Sequence, residues 1–140
     1  MFDQPIRNLM EQKNLLTAPP ETSVSDAARL MAHMNVGAVV VVDSGRLVGI
    51  FTERDAVFPV IAQGRDAEAT PLTEVMTPSP KTLGPEKSYG HALLLMQENG
   101  FRHVPVIDNG KLVGIVSSRN AMDPDLEEFI SEERRREHHR

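Results

Sequence analysis

The apolar positions of this chain form two similar runs that predict the same succession of elements. In each run, a short apolar stretch ends at Thr17 or Thr82, and Ser23 or Ser88 follows as a candidate helix N-cap. Apolar residues then recur at helical spacing, as Ala27, Leu30 and Met31 or as Ala92, Leu95 and Met96. A continuous stretch rich in β-branched residues follows at 39–42 or 104–107, which is typical of a strand buried on both faces. Asp-Ser-Gly or Asp-Asn-Gly then predicts a hairpin turn into a second strand, and a second helix comes next.

The second run repeats the first at a fixed distance along the chain. Residues 17–56, laid without a gap against residues 82–121, match at seventeen of forty positions. The most similar part is the sequence Leu-Val-Gly-Ile, which begins at Leu47 and again at Leu112. Self-similarity of this length indicates two copies of one β-α-β-β-α unit and hence a mixed α/β (α+β) fold.

A looser similarity extends each copy towards the N-terminus. Pro71, Leu72, Val75 and Met76 match Pro5, Ile6, Leu9 and Met10 with one residue of slip. We expect each unit to start with a short helical lead-in that carries its apolar residues into the core. The expected organisation is a first unit over 5–66, a second unit over 67–123 and a charged helical tail over 124–140.

The tail has an amphipathic start and a charged end. Asp123 and Pro124 are suited to begin a helix, and Leu126, Phe129 and Ile130 would share one face of it. Such a stripe is expected to dock on its own module or on a second copy of the chain. The arginines at 134–136 are flanked by glutamates, so we interpret them as solvated.

Composition excludes several classes of protein. The chain has 140 residues, no cysteine and a net charge of -5. No apolar run approaches the roughly 20 residues of a membrane span, and no signal peptide is recognisable, so we expect a cytoplasmic protein without membrane contact. The negative charge argues against a nucleic-acid partner. Catalytic motifs and metal-ligand spacing are missing from the sequence, so we expect no enzyme, no catalytic cofactor and no metal site.

Two equivalent tetrapeptides are the best candidates for a ligand site. Thr52 to Asp55 and Ser117 to Asn120 each lie where a strand runs into a helix, and free N–H groups there would favour an anion. Asp55 could accept hydrogen bonds from both hydroxyls of a ribose, and Thr52 could donate to a phosphate. The alternative is that these residues only cap their helices, because Thr-x-x-Asp is also a capping sequence.

A basic pair provides a second candidate. Arg102 and His103 precede the strand of the second copy, where the first copy has Gly37 and Ala38. Arginine at such a position suits phosphate recognition. The alternative interpretation is that Arg102 is a solvated charge and that His103 packs on the sheet.

The ordered, doubled set of motifs resembles a known family. A helix that ends in methionine, a valine run, Asp-x-x-Gly-x-Leu-Val-Gly-Ile and Thr-x-x-Asp together resemble the tandem cystathionine β-synthase (CBS) domain, or Bateman module, over residues 5–123. The resemblance implies two units packed through their sheets around a pseudo-twofold axis, with two equivalent clefts. It also implies an adenosine-containing ligand (AMP, ADP, ATP, NAD or S-adenosylmethionine) that regulates a separate protein.

The resemblance further implies which positions contact the ligand in the two clefts. These positions are Thr17, Val36, Gly37, Ile50, Thr52, Arg54 and Asp55 in the first copy and Thr82, Phe101, Arg102, His103, Ile115, Ser117, Arg119 and Asn120 in the second. No position is expected to be catalytic or to bind a metal.

Two functional hypotheses remain open from the sequence. The first is a regulatory module that senses an adenine nucleotide and signals to a partner protein. The second is a non-catalytic dimerisation or scaffold module with vestigial clefts. In either case we expect a homodimer, because Ala27, Ala28, Met31 and Met34 predict an apolar helical face too large for so small a chain to bury.

Overall fold

The computed structural model describes residues 2–138, with the side chains of 121–128 and 138 outside the description, and contains most of the predicted elements in both repeats. The helices and strands are β1 (Thr17–Ala18), α1 (Val24–Met34), β2 (Ala38–Asp43), β3 (Arg46–Thr52), α2 (Glu53–Ala56), α3 (Leu72–Val75), β4 (Thr77–Pro78), α4 (Tyr89–Asn99), β5 (His103–Asp108), β6 (Lys111–Ser117) and α5 (Met122–His138). Short 3-10 turns lie at Ile6–Asn8 and Ser118–Ala121, and a π-helix lies at Val57–Ile61. The predicted mixed α/β class is confirmed.

The two long helices of the repeats begin at equivalent serines. The Ser23 side chain accepts a hydrogen bond from the Asp26 N–H at 3.0 Å, and the Ser88 side chain accepts one from the His91 N–H at 3.3 Å. Each bond satisfies one of the N–H groups that a helix start leaves unpaired. The predicted helix starts at the two serines are therefore confirmed.

Both hairpins turn through residues with positive φ. Ser44 and Gly45 have φ values of 51° and 80°, and Asn109 and Gly110 have values of 51° and 78°. Two successive left-handed residues match the right-handed twist of the flanking strands, and glycine and asparagine adopt this conformation most readily. The predicted pairing of β2 with β3 and of β5 with β6 is antiparallel, as expected.

The two sheets have the same plan, although the second is less regular. The first sheet has the strand order β1-β2-β3-β4, with β1 parallel to β2. The second contains β5 and β6, and single bridges take the places of its outer strands: Leu83 pairs with Val106 in parallel, and Glu11 pairs with Ile115 in antiparallel orientation. The first strand expected in the second copy is therefore reduced to one bridge.

Each lead-in segment packs on the other repeat. The Ile6 N–H donates to the Lys87 carbonyl at 2.8 Å, and the Leu72 N–H donates to the Thr22 carbonyl at 2.8 Å. Ile6 is fully buried in the core of the second repeat, with Tyr89 and Val104. The lead-ins thus enter a core, as expected, but each enters the core of the other repeat.

Equivalent glycines make room for the exchanged lead-ins. A side chain at Gly49 would collide with the Met76 thioether, and one at Gly114 would lie 2.8 Å from the Met10 sulfur and 3.0 Å from the Glu11 carbonyl oxygen. The glycine of each Leu-Val-Gly-Ile sequence therefore lets a lead-in from the other repeat approach the strand closely. The close approach of the lead-ins explains why both copies have a glycine at this position.

The second helix of each repeat is not the regular α-helix that the sequence predicted. In the first repeat, α2 has four residues and continues as the π-helix Val57–Ile61. Pro59 has no N–H to donate within the helix, and the wider turn includes an Ala62 N–H to Val57 carbonyl bond of 2.8 Å. In the second repeat, the 3-10 turn Ser118–Ala121 leads directly into α5.

The tail is helical, but it begins earlier than expected. Helix α5 starts at Met122, so Asp123 and Pro124 lie in its first turn, where proline is tolerated. The side chain of Leu126 lies outside the described residues. Phe129 and Ile130 are exposed, with 59% and 38% of their surface accessible, so their expected apolar stripe faces solvent in this chain. Among residues 2–138, no helix combines the length and apolar character needed to cross a bilayer.

The apolar face expected on helix α1 is largely internal. Ala27 and Met31 are buried in the core of the first repeat, and Met34 packs against that core. Only Ala28 is exposed, so these residues do not form the surface from which the sequence predicted a homodimer. The exchange of lead-ins supplies the additional surface that buries them, since Leu72 and Val75 belong to the same core.

The exchange predicts that an N-terminal residue stabilises the second repeat. Replacing Ile6 with alanine should lower the free energy of unfolding by about 2–5 kcal/mol, because the residue is fully buried. Urea unfolding measures this loss, and Leu94→Ala is the matched control, since Leu94 is 53% exposed and should change stability by about 0.5 kcal/mol or less. Equal effects of the two variants would contradict the described packing.

Candidate functional site

The first tetrapeptide closes a reciprocal cap at the end of strand β3. The Thr52 N–H donates to Asp55 Oδ2 at 3.0 Å, and the Asp55 N–H donates to Thr52 Oγ1 at 3.4 Å. The Thr52 hydroxyl also lies 3.3 Å from Asp55 Oδ2, close enough to donate to it. This arrangement is a capping box. The capping interpretation is therefore correct for this pair, and any ligand contact is additional to it.

The second tetrapeptide builds a related turn with an amide in place of the carboxylate. The Ser117 N–H donates to Asn120 Oδ1 at 2.8 Å, and the Ser117 hydroxyl donates to the same oxygen at 3.2 Å. The Tyr89 hydroxyl donates to the Ser117 carbonyl at 2.7 Å from a fully buried position. The strand end is thus fixed from the helix α4 side as well as by its own turn.

Most backbone donors at the two tetrapeptides already have protein acceptors. The Glu53 N–H donates to the Gly37 carbonyl at 3.1 Å, and the Ser118 N–H donates to the Arg102 carbonyl at 3.1 Å. The N–H groups of Thr52, Asp55 and Ser117 serve the turns themselves. Five of the N–H groups expected to be free at these positions are therefore occupied, which reduces the number of backbone donors available to an anion.

The Asp55 carboxylate is only partly satisfied by its cap. The side chain is half-buried, and burial raises its pKa, while hydrogen bonds from Thr52 and the charge of Arg54 oppose that rise. Both hydrogen bonds that the carboxylate accepts fall on Oδ2. Within the described part of the chain, Oδ1 accepts none, so one oxygen of a partly desolvated carboxylate is open to a donor from a ligand.

A contact between the repeats brings two candidate positions, Gly37 and His103, together with Glu53. A side-chain carbon added to Gly37 would lie 2.9 Å from Glu53 Oε1 and 3.4 Å from His103 Nε2. His103 comes from the start of β5 in the other repeat, so the two strand starts meet here. Burial lowers the pKa of His103, attraction to Glu53 raises it, and repulsion by Arg102 and Arg119 lowers it further.

The cationic side chains lie at the edges of this contact. Arg102 and Arg119 are exposed, and Arg102 lines a cavity of about 350 Å³ together with Phe101 and Ser118. The Arg54 guanidinium lies over the Phe58 ring, 4.3 Å from its centre. Arg54 is thus held by an aromatic ring, whereas Arg102 borders open space.

The remaining predicted positions are structural or peripheral. Thr17 and Thr82 are exposed, Ile50 is buried in β3, Val36 and Phe101 pack against the first and second cores, and Ile115 pairs with Glu11. The structure therefore places Gly37 and Glu53 of the first tetrapeptide beside His103, whereas Thr17 and Thr82 are exposed.

Sequence reasoning missed three residues of this region. Glu53 approaches Gly37 and His103, Ser118 replaces Glu53 in the second copy, and Tyr89 supports Ser117. The difference between Glu53 and Ser118 was visible in the aligned repeats as a change of charge. Tyr89 is the single tyrosine of the chain, but its bond to Ser117 spans 28 residues and left no local signal.

Comparison with known proteins identifies the family. The model of the CBS domain matches residues 6–60 and 72–124. The chain belongs to the CBS domain family. It carries two such domains, so it is a CBS domain pair, and the resemblance inferred from the motifs is confirmed. In the described residues of this pair, no group of three or more His, Asp or Glu side chains is arranged to hold a metal ion.

Relatives and solved structures share the paired organisation. The CBS domain-containing protein YhcV of Bacillus subtilis is 41% identical over 72% of this chain and 71% of its own length. The mitochondrial CBSX3 of Arabidopsis thaliana is 41% identical over 69% of this chain but only 50% of its own length. A conserved protein of Pyrococcus horikoshii superposes with a TM-score of 0.82 at 33% identity, covering 89% of this chain and 94% of that one.

Other structural neighbours have bound ligands or assemble. The CBS domain pair of protein MJ0100, solved in complex with 5′-methylthioadenosine and S-adenosyl-L-methionine, gives a TM-score of 0.79 at 25% identity over 89% of this chain and 98% of that one. The hexameric CBS-CP12 protein from bloom-forming cyanobacteria gives a TM-score of 0.80 at 26% identity over 87% of this chain and 68% of that one.

The environment of His103 predicts a pH dependence of stability. Because the folded state lowers its pKa below the ordinary 6.5, the unfolded chain binds the proton more readily, and stability falls as the pH drops below about 6.5. The urea midpoint should fall between about pH 7 and pH 5.5, and His103→Gln should reduce that fall. His33→Gln, at an exposed position, is the control. An identical pH profile for wild type and His103→Gln would contradict this assignment.

Proposed function

We propose that this CBS domain pair is a regulatory module that binds an adenosine-containing ligand, of the AMP, ADP, ATP or NAD type, in clefts between its repeats. The observation that carries the proposal is the Asp55 carboxylate, which is half-buried, has a raised pKa and keeps Oδ1 without a donor from the described residues. A structural cap needs one acceptor oxygen, and Asp55 offers a second one. The module would act through a separate protein in the cytoplasm, without catalysis of its own.

A ribose is the ligand group that fits such a carboxylate. Its two neighbouring hydroxyls can both donate to an ionised carboxylate, and hydrogen bonds to a charged group contribute about 1.5–3 kcal/mol each. The adenosyl ligands bound by MJ0100 contain this ribose, which supports the same ligand class for the present chain. That the present chain binds ligands of this class is therefore proposed from its likeness to MJ0100.

The second repeat offers weaker ribose recognition but more positive charge. Asn120 Oδ1 already accepts two bonds from Ser117, and an amide nitrogen can only donate. Arg102 and Arg119 lie beside it, and Arg102 borders the 350 Å³ cavity. Phosphate recognition in this cleft would therefore depend on the arginines.

A scaffold function is the second candidate, and the complete caps favour it. Thr52, Ser117 and Asn120 satisfy one another locally, so their presence requires no ligand. Val57, Phe58 and Ile61 are 46%, 52% and 70% exposed on one short helical segment. Exposed apolar side chains grouped in this way favour self-association, and the hexameric CBS-CP12 protein supports assembly of related modules.

A thermal-shift screen with AMP, ADP, ATP, NAD and S-adenosylmethionine tests the proposed function. A ligand present at 100 times its dissociation constant should add about 2.7 kcal/mol to the free energy of unfolding, which is a measurable rise in melting temperature. Guanosine monophosphate at the same concentration is the control for nonspecific anion effects. If no adenosine compound shifts the transition beyond this control, the regulatory function is wrong and the scaffold function is favoured.

Exchange of Asp55 and Asn120 separates ligand binding from capping. Asp55→Asn keeps an acceptor for the Thr52 N–H, so the melting temperature without ligand should stay close to that of wild type. Affinity for 5′-methylthioadenosine, which has a ribose but no phosphate, should fall about 10- to 150-fold, because one charge-assisted bond is lost. Calorimetry measures this change, and Asn120→Asp is the reciprocal variant, which should bind no more weakly than wild type. Unchanged affinity of Asp55→Asn would exclude the ribose role.

Homodimer formation is expected through Val57, Phe58 and Ile61. Ile61→Asp places a charge on the most exposed of these apolar residues and should shift the mass measured by light scattering at micromolar concentration from dimer to monomer. Gln63→Asp adds the same charge two residues away and should leave the dimer intact. A wild-type monomer, or a dimer that survives Ile61→Asp, would contradict this interface.

A further inference from the structure

Each exchanged lead-in ends in a methionine at the junction between the repeats. Met10 follows the 3-10 turn Ile6–Asn8 and packs against the core of the second repeat, and Met76 follows α3 and packs against that of the first. The chain has seven methionines and no cysteine, so thioethers are its only side-chain sulfur. Any sulfur chemistry at this junction would therefore take place on methionine.

Both of these sulfurs lie against the glycine of a Leu-Val-Gly-Ile strand. A side-chain carbon added to Gly114 would lie 2.8 Å from the Met10 sulfur and 3.1 Å from its Cγ. A carbon added to Gly49 would collide with the Met76 sulfur and lie 2.9 Å from its terminal methyl group. In both copies the sulfur is the nearest atom, so the thioether fills the space that a side chain of the strand would otherwise take. An oxygen added to either sulfur would therefore be placed at or beside this contact.

The junction methionines are more accessible than the methionines inside the two cores. Met31 and Met96 are only 6% and 4% exposed. Met10 and Met76 are partly exposed and partly buried against the same two cores. An oxidant has to reach the sulfur before it can react, so the junction methionines should be oxidised before the core methionines.

A sulfoxide at this contact would weaken the attachment of the lead-ins. Beside Met10, the Glu11 N–H donates to the Ile115 carbonyl at 2.7 Å, and the Ile115 N–H donates to the Glu11 carbonyl at 3.1 Å. Beside Met76, strand β3 pairs at Gly49 with both β2 and β4. The backbone next to both thioethers is thus engaged in pairing, and a sulfoxide oxygen pressed against it without a donor costs stability. Oxidation should therefore loosen the contact that joins the repeats.

We propose that Met10 and Met76 are paired oxidation sites through which a peroxide weakens the junction between the repeats. A lone pair of the sulfur attacks one oxygen of the peroxide and the O–O bond breaks, which leaves a sulfoxide and, from hydrogen peroxide, one molecule of water. The sulfur loses two electrons and the peroxide gains them. A methionine sulfoxide reductase reverses the step with two electrons from thiols. The chain would thereby respond to oxidants without a cysteine, independently of any ligand in its clefts.

Peroxide treatment of the full-length chain tests the sites and their effect together. Peptide mapping by mass spectrometry should show Met10 and Met76 gaining one oxygen at least about 10-fold faster than Met31 and Met96. The melting temperature should fall by about 5–10 °C once both junction sites are oxidised, because a polar group then lies in a packed contact. Methionine sulfoxide reductases should restore the original melting temperature.

Leucine variants separate the junction sulfurs from the other methionines. A variant carrying both Met10→Leu and Met76→Leu keeps the apolar packing, because leucine and methionine have similar volumes, and should lose most of the fall caused by peroxide. Met34→Leu is the matched control, since Met34 is also partly buried against the first core but lies at the end of α1, and it should show the full fall. The melting temperature of each variant before treatment verifies folding.

Hydrogen exchange shows whether oxidation acts on the junction itself. In oxidised wild-type protein, the Glu11 N–H should exchange at least about 10-fold faster than before treatment, while the N–H groups in the middle of α1 keep their protection. If Met31 and Met96 react as fast as Met10 and Met76, the junction is not a selective site and the proposal is wrong. It is equally wrong if both sites are oxidised without a fall in melting temperature, or if the double leucine variant falls as far as wild type.

Discussion

The reciprocal exchange of lead-in segments is the constraint on which the rest of the structure depends. Ile6 completes the core of the second repeat, and Leu72 and Val75 complete that of the first. Each repeat would expose apolar side chains without the segment that the other supplies, so the burial that completes each core also holds the two units together. The contact of Gly37 and Glu53 with His103 follows from this fixed arrangement.

The same polar groups that fix the backbone also limit which atoms of the two tetrapeptides are available to a ligand. The N–H groups of Thr52 and Ser117 donate to side chains within their own turns. Those of Glu53 and Ser118 donate to backbone carbonyls just before β2 and β5. Because these N–H groups already have acceptors within the protein, contact with a ligand would depend mainly on side-chain atoms. Under the proposed function, Asp55 Oδ1 and the guanidinium groups of Arg102 and Arg119 would therefore determine which ligand binds.

Local features of the fold could be predicted from the sequence, whereas features that depend on distant contacts could not. The hairpin turns at Ser44 and Asn109 and the caps at Ser23 and Ser88 are determined within a few residues, and each was predicted correctly. The exchange of lead-ins could not be predicted, because Ile6 and Leu72 have the same local pattern whichever core receives them. For the same reason, Ala27 and Met31 suggested an exposed face that Leu72 in fact covers.

The duplicated architecture also explains why equivalent positions of the two repeats can differ in charge without a difference in fold. Thr52 and Asp55 are tied to the cap, and Gly49 and Gly114 are tied to the approach of the lead-ins, so changes at these positions would disturb the backbone. Glu53 and Arg102 are exposed, and their backbone groups make the same bond in both repeats whatever the side chain. Substitutions at such positions usually change stability by only about 0.5 kcal/mol. Charge at positions 53 and 102 is therefore a property that this fold leaves free to vary between its two halves.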